Sequence, residues 1–464
     1  MERAGRAVYR MLRFRWPRAR RVCIVCGPGN NGGDGYLLGR HLHEAGLTPV
    51  ILYVGDIERQ QGDAALARAQ YQQTGCELQP FSGQLPVADV MVDALLGTGT
   101  DRQLQGGFAE VVAAINAQSV PVLAIDLPTG IDADSGRVLG VAVRATATLS
   151  LVGLKRGTVT GPAIDYVGEP CFDDLAISER ARLEADSNTF LVTAGDCQSI
   201  CPVRKKDTHK GEQGKILTIG GARGMTGALV MASEAALRSG AGLVRMALRD
   251  PRPHGIVHSA ELMTGDVDDW RALISTARSS DVILLGPGLA TDSAAHNITS
   301  KVLEHRKTGQ AIVLDADALG CLAMESKEVA GAVLTPHPGE AARLLGCSSH
   351  DVQNDRYSAA ETIARKYDCI CVLKGAGTII SDGKTNHVCD RGHPAMATAG
   401  MGDVLSGMIA ALLGQGLSPV DASRLSVLVH ALAAERLARV KGLGLVASDV
   451  YMAISDEMTR VCRW

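Results

Sequence analysis

The chain has 464 residues, 46% hydrophobic and 21% charged, with a formal net charge of −3; this is the composition of a soluble globular protein of two or three domains, with no global charge to attract nucleic acid. Aromatic residues are only 3% while 52 residues are glycine, which favours tight backbone loops around phosphates over stacking platforms. No apolar run reaches the ~18–20 residues of a membrane helix; the longest, 404–413, is interrupted by Ser406 and Gly407, and the expected compartment is the cytoplasm.

The first 21 residues carry eight Arg and one Glu. A transit peptide is Arg-rich and acid-poor but also Ser-rich; Ser is absent here and the segment runs straight into a strand, so a solvated helix end is expected. Strands are predicted at 22–26, 49–54, 90–95, 122–125 and 147–152, with helical stretches such as 36–45 and 64–73 between them. Continuous apolar strands separated by helices imply a parallel sheet covered on both faces. The 12 cysteines are scattered, and a chain of this length needs no disulfide scaffold. Cys23 and Cys26 have the spacing of a redox pair, but they lie in an apolar strand where alternate residues face opposite ways, so a structural role is expected.

Gly27-Pro28-Gly29-Asn30-Asn31-Gly32 matches a dinucleotide fingerprint directly after a strand, and Asp56 follows the next strand, where it could meet a ribose hydroxyl. The fuller segment Gly29-Asn30-Asn31-Gly32-Gly33-Asp34-Gly35 adds amide and carboxylate oxygens to a turn whose backbone amides can bind phosphate. Val92-Asp93-Ala94-Leu95-Leu96-Gly97-Thr98-Gly99 and Ile125-Asp126-Leu127-Pro128-Thr129-Gly130 end two further strands at the same edge. Ligands bind beyond the carboxyl ends of strands in open parallel sheets, which puts Asp93 and Asp126 beside a ligand or cation.

On these three motifs, residues 1–174 resemble the NAD(P)H-hydrate epimerase family. The resemblance implies that Asn30, Asn31, Gly32, Gly33, Asp34, Gly97, Thr98, Gly99, Thr100, Asp101, Arg102, Gln103 and Asp126 contact a hydrated nicotinamide dinucleotide. It also implies that Asn31, Asp93 and Thr129 hold K+, with Thr129 standing where the family usually has Ser. The substrate carries a hydroxyl at C6, beside the ring nitrogen. Loss and re-addition of water invert that carbon, and Asp126 is the candidate for proton transfer, supported by Lys155. Family members generally carry a further helical segment ahead of the position of Met1, so a shortened wall to this site is expected.

Residues 178–212 are polar, with Pro202, the basic run Arg204-Lys205-Lys206 and Gly211, and they mark a boundary between domains at 1–185 and 190–464. A second alternating series follows, with strands at 215–219, 243–248, 282–285, 312–314, 333–334 and 370–373 and a helical stretch from 403 to about 440. There is no P-loop. Thr398-Ala399-Gly400-Met401-Gly402-Asp403 leads into the apolar helix instead, making an anion hole at a helix start with Asp403 placed as a base. Converging on it are Ile219-Gly220-Gly221 with Thr226-Gly227-Ala228, Leu285-Gly286-Pro287-Gly288, Thr335-Pro336-His337-Pro338-Gly339-Glu340, and Lys374-Gly375-Ala376-Gly377-Thr378.

From about Leu191 to Met458 these motifs resemble the ADP- or ATP-dependent NAD(P)H-hydrate dehydratases, of the ribokinase-like superfamily. The resemblance implies an α/β chain with a Rossmann-like three-layer N-terminal domain and a ribokinase-like second domain. Ala228, Gly288, His337 and Asp403 would contact the hydrate, while Lys374, Gly375, Ala376, Gly377, Thr378 and Gly402 would contact the nucleotide. The expected chemistry is epimerisation of R- and S-NADHX and NADPHX, followed by ADP-dependent (alternatively ATP-dependent) dehydration with Mg2+. A homo-oligomer without membrane or nucleic-acid partners is expected. The competing reading is a ribokinase-like vitamin-precursor kinase with a non-catalytic N-terminal ligand-binding module.

Overall fold

A computed structural model describes residues 1–250, 259–325 and 327–463. The chain forms two compact units, Met1–Ser187 and Asn188–Trp464. Among the described residues, no helix is long and apolar enough to cross a membrane.

The first unit is built on seven strands: β1 (Arg21–Cys26), β2 (Thr48–Tyr53), β3 (Leu78–Pro80), β4 (Val90–Ala94), β5 (Val122–Ile125), β6 (Ala147–Leu151) and β7 (Glu169–Asp173). They lie in the order β3-β2-β1-β4-β5-β6-β7, and every neighbouring pair is parallel. The period of two along β1 sends Val22, Ile24 and Cys26 into the core on one face and Cys23 and Val25 into the core on the other. Cys23 and Cys26 therefore serve opposite faces of the sheet. Burial pushes the Cys23 thiol up to about 12 and that of Cys26 well above its ordinary value, which leaves neither as a ready thiolate.

The helix Glu2–Arg15 corrects the expectation of a solvated helix end. Its Ala4, Gly5, Ala7, Val8 and Leu12 are buried, and a Cβ on Gly5 would come within 2.6 Å of Leu37 Cβ on the helix Asn30–Glu44. The arginines on its other side are also engaged. Arg10 reaches Asp173 at 3.0 Å, Arg15 pairs with Glu169, and Arg3 donates to the Leu175 carbonyl at 2.6 Å. A basic, amphipathic N-terminus is here the cover of one sheet face.

The second unit carries β8 (Thr189–Leu191), β9 (Lys215–Gly220), β10 (Leu243–Leu248), β11 (Met263–Asp266), β12 (Val282–Leu285), β13 (Ala311–Leu314), β14 (Val333–Leu334), β15 (Ile370–Leu373), β16 (Thr378–Ser381) and β17 (Asn386–Cys389). Their order is β11-β10-β9-β12-β13-β14-β15-β16-β17-β8. The run from β11 to β15 is parallel; β16 and β17 turn antiparallel. The apolar segment 404–413 becomes the middle of the helix Met401–Gly414, buried along its whole length. Gly407 allows that depth: a Cβ there would lie 2.0 Å from the Ala232 carbonyl oxygen of the helix Thr226–Arg238. The helices Pro419–Lys441 and Ala447–Cys462 complete this layer. Cys462 forms a disulfide with Cys201, Cα atoms 5.6 Å apart, a cross-link that the scattered cysteine spacing did not announce.

Candidate active sites

In the first unit, chain order reverses between β1 and β4, which opens a crevice at their carboxyl ends. The loop after β1 needs glycine for close approach. A Cβ on Gly27 would fall 1.8 Å from the Leu95 carbonyl oxygen, and one on Gly32 2.0 Å from that of Gly27. The helix Asn30–Glu44 starts here with Gly29 as its N-cap, so its first amides, lacking intrahelical partners, face the crevice mouth. Asp56 is employed elsewhere: it caps the turn Ile57–Arg59 by accepting from Glu58 N at 3.1 Å, and it pairs with Arg59 at 3.0 Å. Asp56 is thus a turn cap with a half-exposed carboxylate.

Asn31, Asp93 and Thr129 are brought into one hydrogen-bonded cluster. Asp93 is fully buried and accepts from Thr129 N at 2.8 Å, Thr129 Oγ1 at 2.7 Å and Leu95 N at 3.2 Å. The Leu96 carbonyl accepts from Asn31 Nδ2 at 3.2 Å and from Thr129 Oγ1 at 3.3 Å. Burial pushes the Asp93 carboxyl up to about 6 against these donors. Among the described residues no cationic side chain pairs with it, and a buried carboxylate without a counter-charge is costly. Its oxygens, with those of Thr129, Asn31 and Leu96, form a donor set suited to a monovalent cation.

Asp126 follows β5 with φ +71°, a left-handed conformation that only a short polar side chain tolerates well. Its carboxylate accepts from the Lys155 ammonium and from Leu151 N at 3.1 Å, and Lys155 also donates to the Leu151 carbonyl at 2.7 Å. Asp34 faces the same charge: burial pushes it up to about 7, and Asp126 adds to the effect. In the expected contact loop, Asp101 and Arg102 are exposed and paired with each other at 3.5 Å. Thr100 folds back onto the Gly97 carbonyl at 3.2 Å.

In the second unit the reversal lies between β9 and β12. The two strand ends are laced together. Gly221 N donates to Pro287 O at 3.0 Å, Ala222 N to Gly288 O at 2.6 Å and Gly286 N to Ile219 O at 3.0 Å. Gly288 takes φ +61°, and a Cβ there would lie 2.4 Å from the Met225 carbonyl oxygen. This places Gly288 beside the first turn of the helix carrying Ala228.

Lys374, just after β15, is the hub. Its ammonium donates to Asp315 at 2.8 Å, lies 3.8 Å from Glu340, and would sit 3.0 Å from a Cβ on Gly402 at the start of the helix Met401–Gly414. Burial pushes Lys374 down, but Asp315 and Glu340 outweigh it and the pKa is raised. Asp403 is pushed up to about 8 by burial, then by Asp315, with Lys374 opposing. Asp315 is 1% exposed and its Oδ2 has no hydrogen-bond partner, an orphaned anionic oxygen that fits a divalent cation brought in with a nucleotide. His337 is a helix cap: its Nδ1 accepts from Gly339 N at 3.0 Å and Glu340 N at 3.3 Å, and Glu340 accepts from His337 N at 2.7 Å. With Nδ1 accepting, Nε2 on the half-exposed side chain is the ring's donor and lies 3.4 Å from Glu340 Oε1.

Glu340 and Leu96 lay inside motifs read from the sequence but were given no role there, and Asp315 lay in none. Asp315 ends an apolar strand as Asp93 does, and that shared signal could have found it.

Residues 216–456 match the NAD(P)H-hydrate dehydratase family, and residues 1–157 match the YjeF-related protein N-terminus family. The bifunctional NAD(P)H-hydrate repair enzyme of Coxiella burnetii is 41% identical, with 97% of this chain and 93% of the relative covered. The chain belongs to the bifunctional NAD(P)H-hydrate repair enzymes. The Escherichia coli repair enzyme is 37% identical over 98% of this chain and 88% of its own length. A ribokinase-like superfamily protein from Enterococcus faecalis, 27% identical, covers 60% of this chain and 98% of its own, with a TM-score of 0.56. The two crevices fall one in each unit.

Proposed function

We propose that the chain repairs hydrated NADH and NADPH in two steps, with the first unit interconverting the R and S hydrates and the second dehydrating the S form at the expense of ADP or ATP. The observation that carries the reading is the convergence of Lys374, Asp315, Glu340 and Asp403 on one helix start in a ribokinase-like sheet. Relatives that cover both units favour it over a vitamin-precursor kinase with a silent first module.

In the second site, Asp403 takes the proton of the C6 hydroxyl as that oxygen attacks the terminal phosphoryl group of the nucleotide. Lys374 and the helix start offset the charge on the transferred group. The C6–O bond then breaks, pushed by the ring-nitrogen lone pair; phosphate departs, and loss of a C5 proton restores the dihydropyridine. Lys374, Gly375, Ala376, Gly377, Thr378 and Gly402 hold the nucleotide, while Ala228, Gly288 and His337 hold the hydrate. Asp315, through its unpartnered Oδ2, would hold Mg2+, which would supply screening of the phosphate charge. ADP is the preferred donor in this reading.

In the first site, Asp126 delivers a proton to the C6 hydroxyl so that it leaves as water while the ring-nitrogen lone pair forms an iminium, then takes the proton back from the water that adds to the other face, and Lys155 holds the carboxylate in place. Asn30 to Asp34 and the 97–103 loop hold the dinucleotide. K+ would sit among Asn31, Asp93, Thr129 and the Leu96 carbonyl, offsetting the buried Asp93 charge and fixing the loop after β4. A cytoplasmic location and homo-oligomeric assembly complete the proposal, and sedimentation velocity checks the assembly. The two assignments are separated on pure S-hydrate: Asp403→Asn is expected to stop recovery of reduced nicotinamide and Asp126→Asn to leave it intact. The reverse pattern would overturn the division of labour.

A further inference from the structure

Arg356, the first residue of the helix Arg356–Tyr367, is 0% exposed. Its Nη2 donates to three carbonyls of one turn: Leu373 at 3.1 Å, Lys374 at 3.2 Å and Gly377 at 3.4 Å. Its Nη1 donates to Gln353 Oε1 at 2.7 Å. The turn lies directly on the guanidinium. A Cβ on Gly375, which has φ +141°, would stand 3.0 Å from both Nη atoms.

We infer that Arg356 is a positioning residue for nucleotide binding, which sets the 374–378 turn so that its amides and the Lys374 ammonium face the phosphates. The inference rests on the reading of that turn as a nucleotide contact. The peptide bonds here are trans, so a carbonyl held toward Arg356 turns the next amide N–H the other way. Tethering the Lys374 and Gly377 carbonyls thus directs the amides of Gly375 and Thr378 away from the guanidinium. Lys374 N is itself fixed by donation to the Pro336 carbonyl at 2.9 Å, so its side chain leaves the strand end in one direction, toward Asp315 and Gly402. Burying a guanidinium against neutral carbonyls is expensive, and an apolar side chain would fill the same space without that cost. What it supplies is a planar fork of donors, which a lysine cannot reproduce.

The test uses the full chain with Arg356→Met, Arg356→Lys and Gly375→Ala, each checked for folding by its thermal transition. Arg356→Met is expected to raise KM for ADP and ATP at least tenfold, with KM for the S-hydrate within twofold of wild type and the R-to-S rate unchanged. Arg356→Lys should recover part of the nucleotide KM, and Gly375→Ala, which lifts the turn from an intact Arg356, should raise it. A folded Arg356→Met protein with unchanged nucleotide KM, or with both KM values rising together, overturns the inference. If Arg356→Met does not fold, an unchanged nucleotide KM in the other two variants does so. Lys374→Met and Thr378→Val test the turn itself. No effect on nucleotide KM from either overturns the reading of the turn and the inference with it. A rise in those two without one in Arg356→Met overturns the role of Arg356 alone.

Discussion

Replacing Asp403 with Asn should abolish dehydration and stabilise the second unit at the same time. Asp403 is held near pKa 8 by burial and by Asp315, whereas an unfolded Asp titrates near 3.9. Its pKa is raised on folding, so the stability linked to its proton is fully present below about pH 4. It is lost as pH rises toward 8, by up to about 1.4 kcal/mol per pH unit. Asn keeps the shape of the protonated carboxyl and does not titrate. The gap in stability between Asp403→Asn and wild type should therefore be near zero at pH 4, widen steadily to about pH 8 and then level. Calorimetry on the full chain without nucleotide, from pH 4.5 to 8.5, measures that gap. The same variant should lose ~10²–10⁴-fold in dehydration rate, the ordinary contribution of a general base, while still binding nucleotide. A gap independent of pH, or a variant less stable than wild type at pH 8, would refute the reasoning that burial and Asp315 raise the Asp403 carboxyl to about 8 in the site without nucleotide, where it is poised to ionise and act as a base.

Lys155→Met should slow epimerisation at least tenfold by releasing the Asp126 carboxylate, with S-hydrate dehydration unchanged; an epimerisation rate equal to wild type would remove Lys155 from the site. Exchange of potassium for a bulky quaternary ammonium ion should lower epimerisation alone, and Asp93→Asn should remove the response to potassium, both read by the R-to-S rate in dialysed protein. Gly407→Ala should destabilise the second unit by about 3 kcal/mol, the upper end of ordinary overpacking, since its methyl would enter the Ala232 carbonyl; denaturant unfolding checks this.

The central strands were legible because they are buried on both faces and read as unbroken apolar runs, as in 122–125 and 282–285. The strands missed are edge strands or short hairpin members. β7 reads Glu-Pro-Cys-Phe-Asp and is half in solvent, so no apolar run marks it. β16 and β17 did carry a signal, the Asp382-Gly383 turn, in which Asp382 accepts from Lys384 and Thr385 amides. At the sites, motifs fixed by glycine geometry could be read directly, because Gly27, Gly32 and Gly288 admit no Cβ. Residues whose meaning comes from tertiary approach could not. Arg356 is one of many arginines until β15 and β16 are placed over it.

Pure R-hydrate, supplied with nucleotide, Mg2+ and potassium to the whole chain, tests both crevices in one trace of reduced-nicotinamide absorbance. Complete recovery well above the spontaneous rate is expected, because R must first be turned into S in one unit before the other can act. R-hydrate that persists while S-hydrate in a parallel cuvette is consumed would contradict a working first site and leave only the dehydratase.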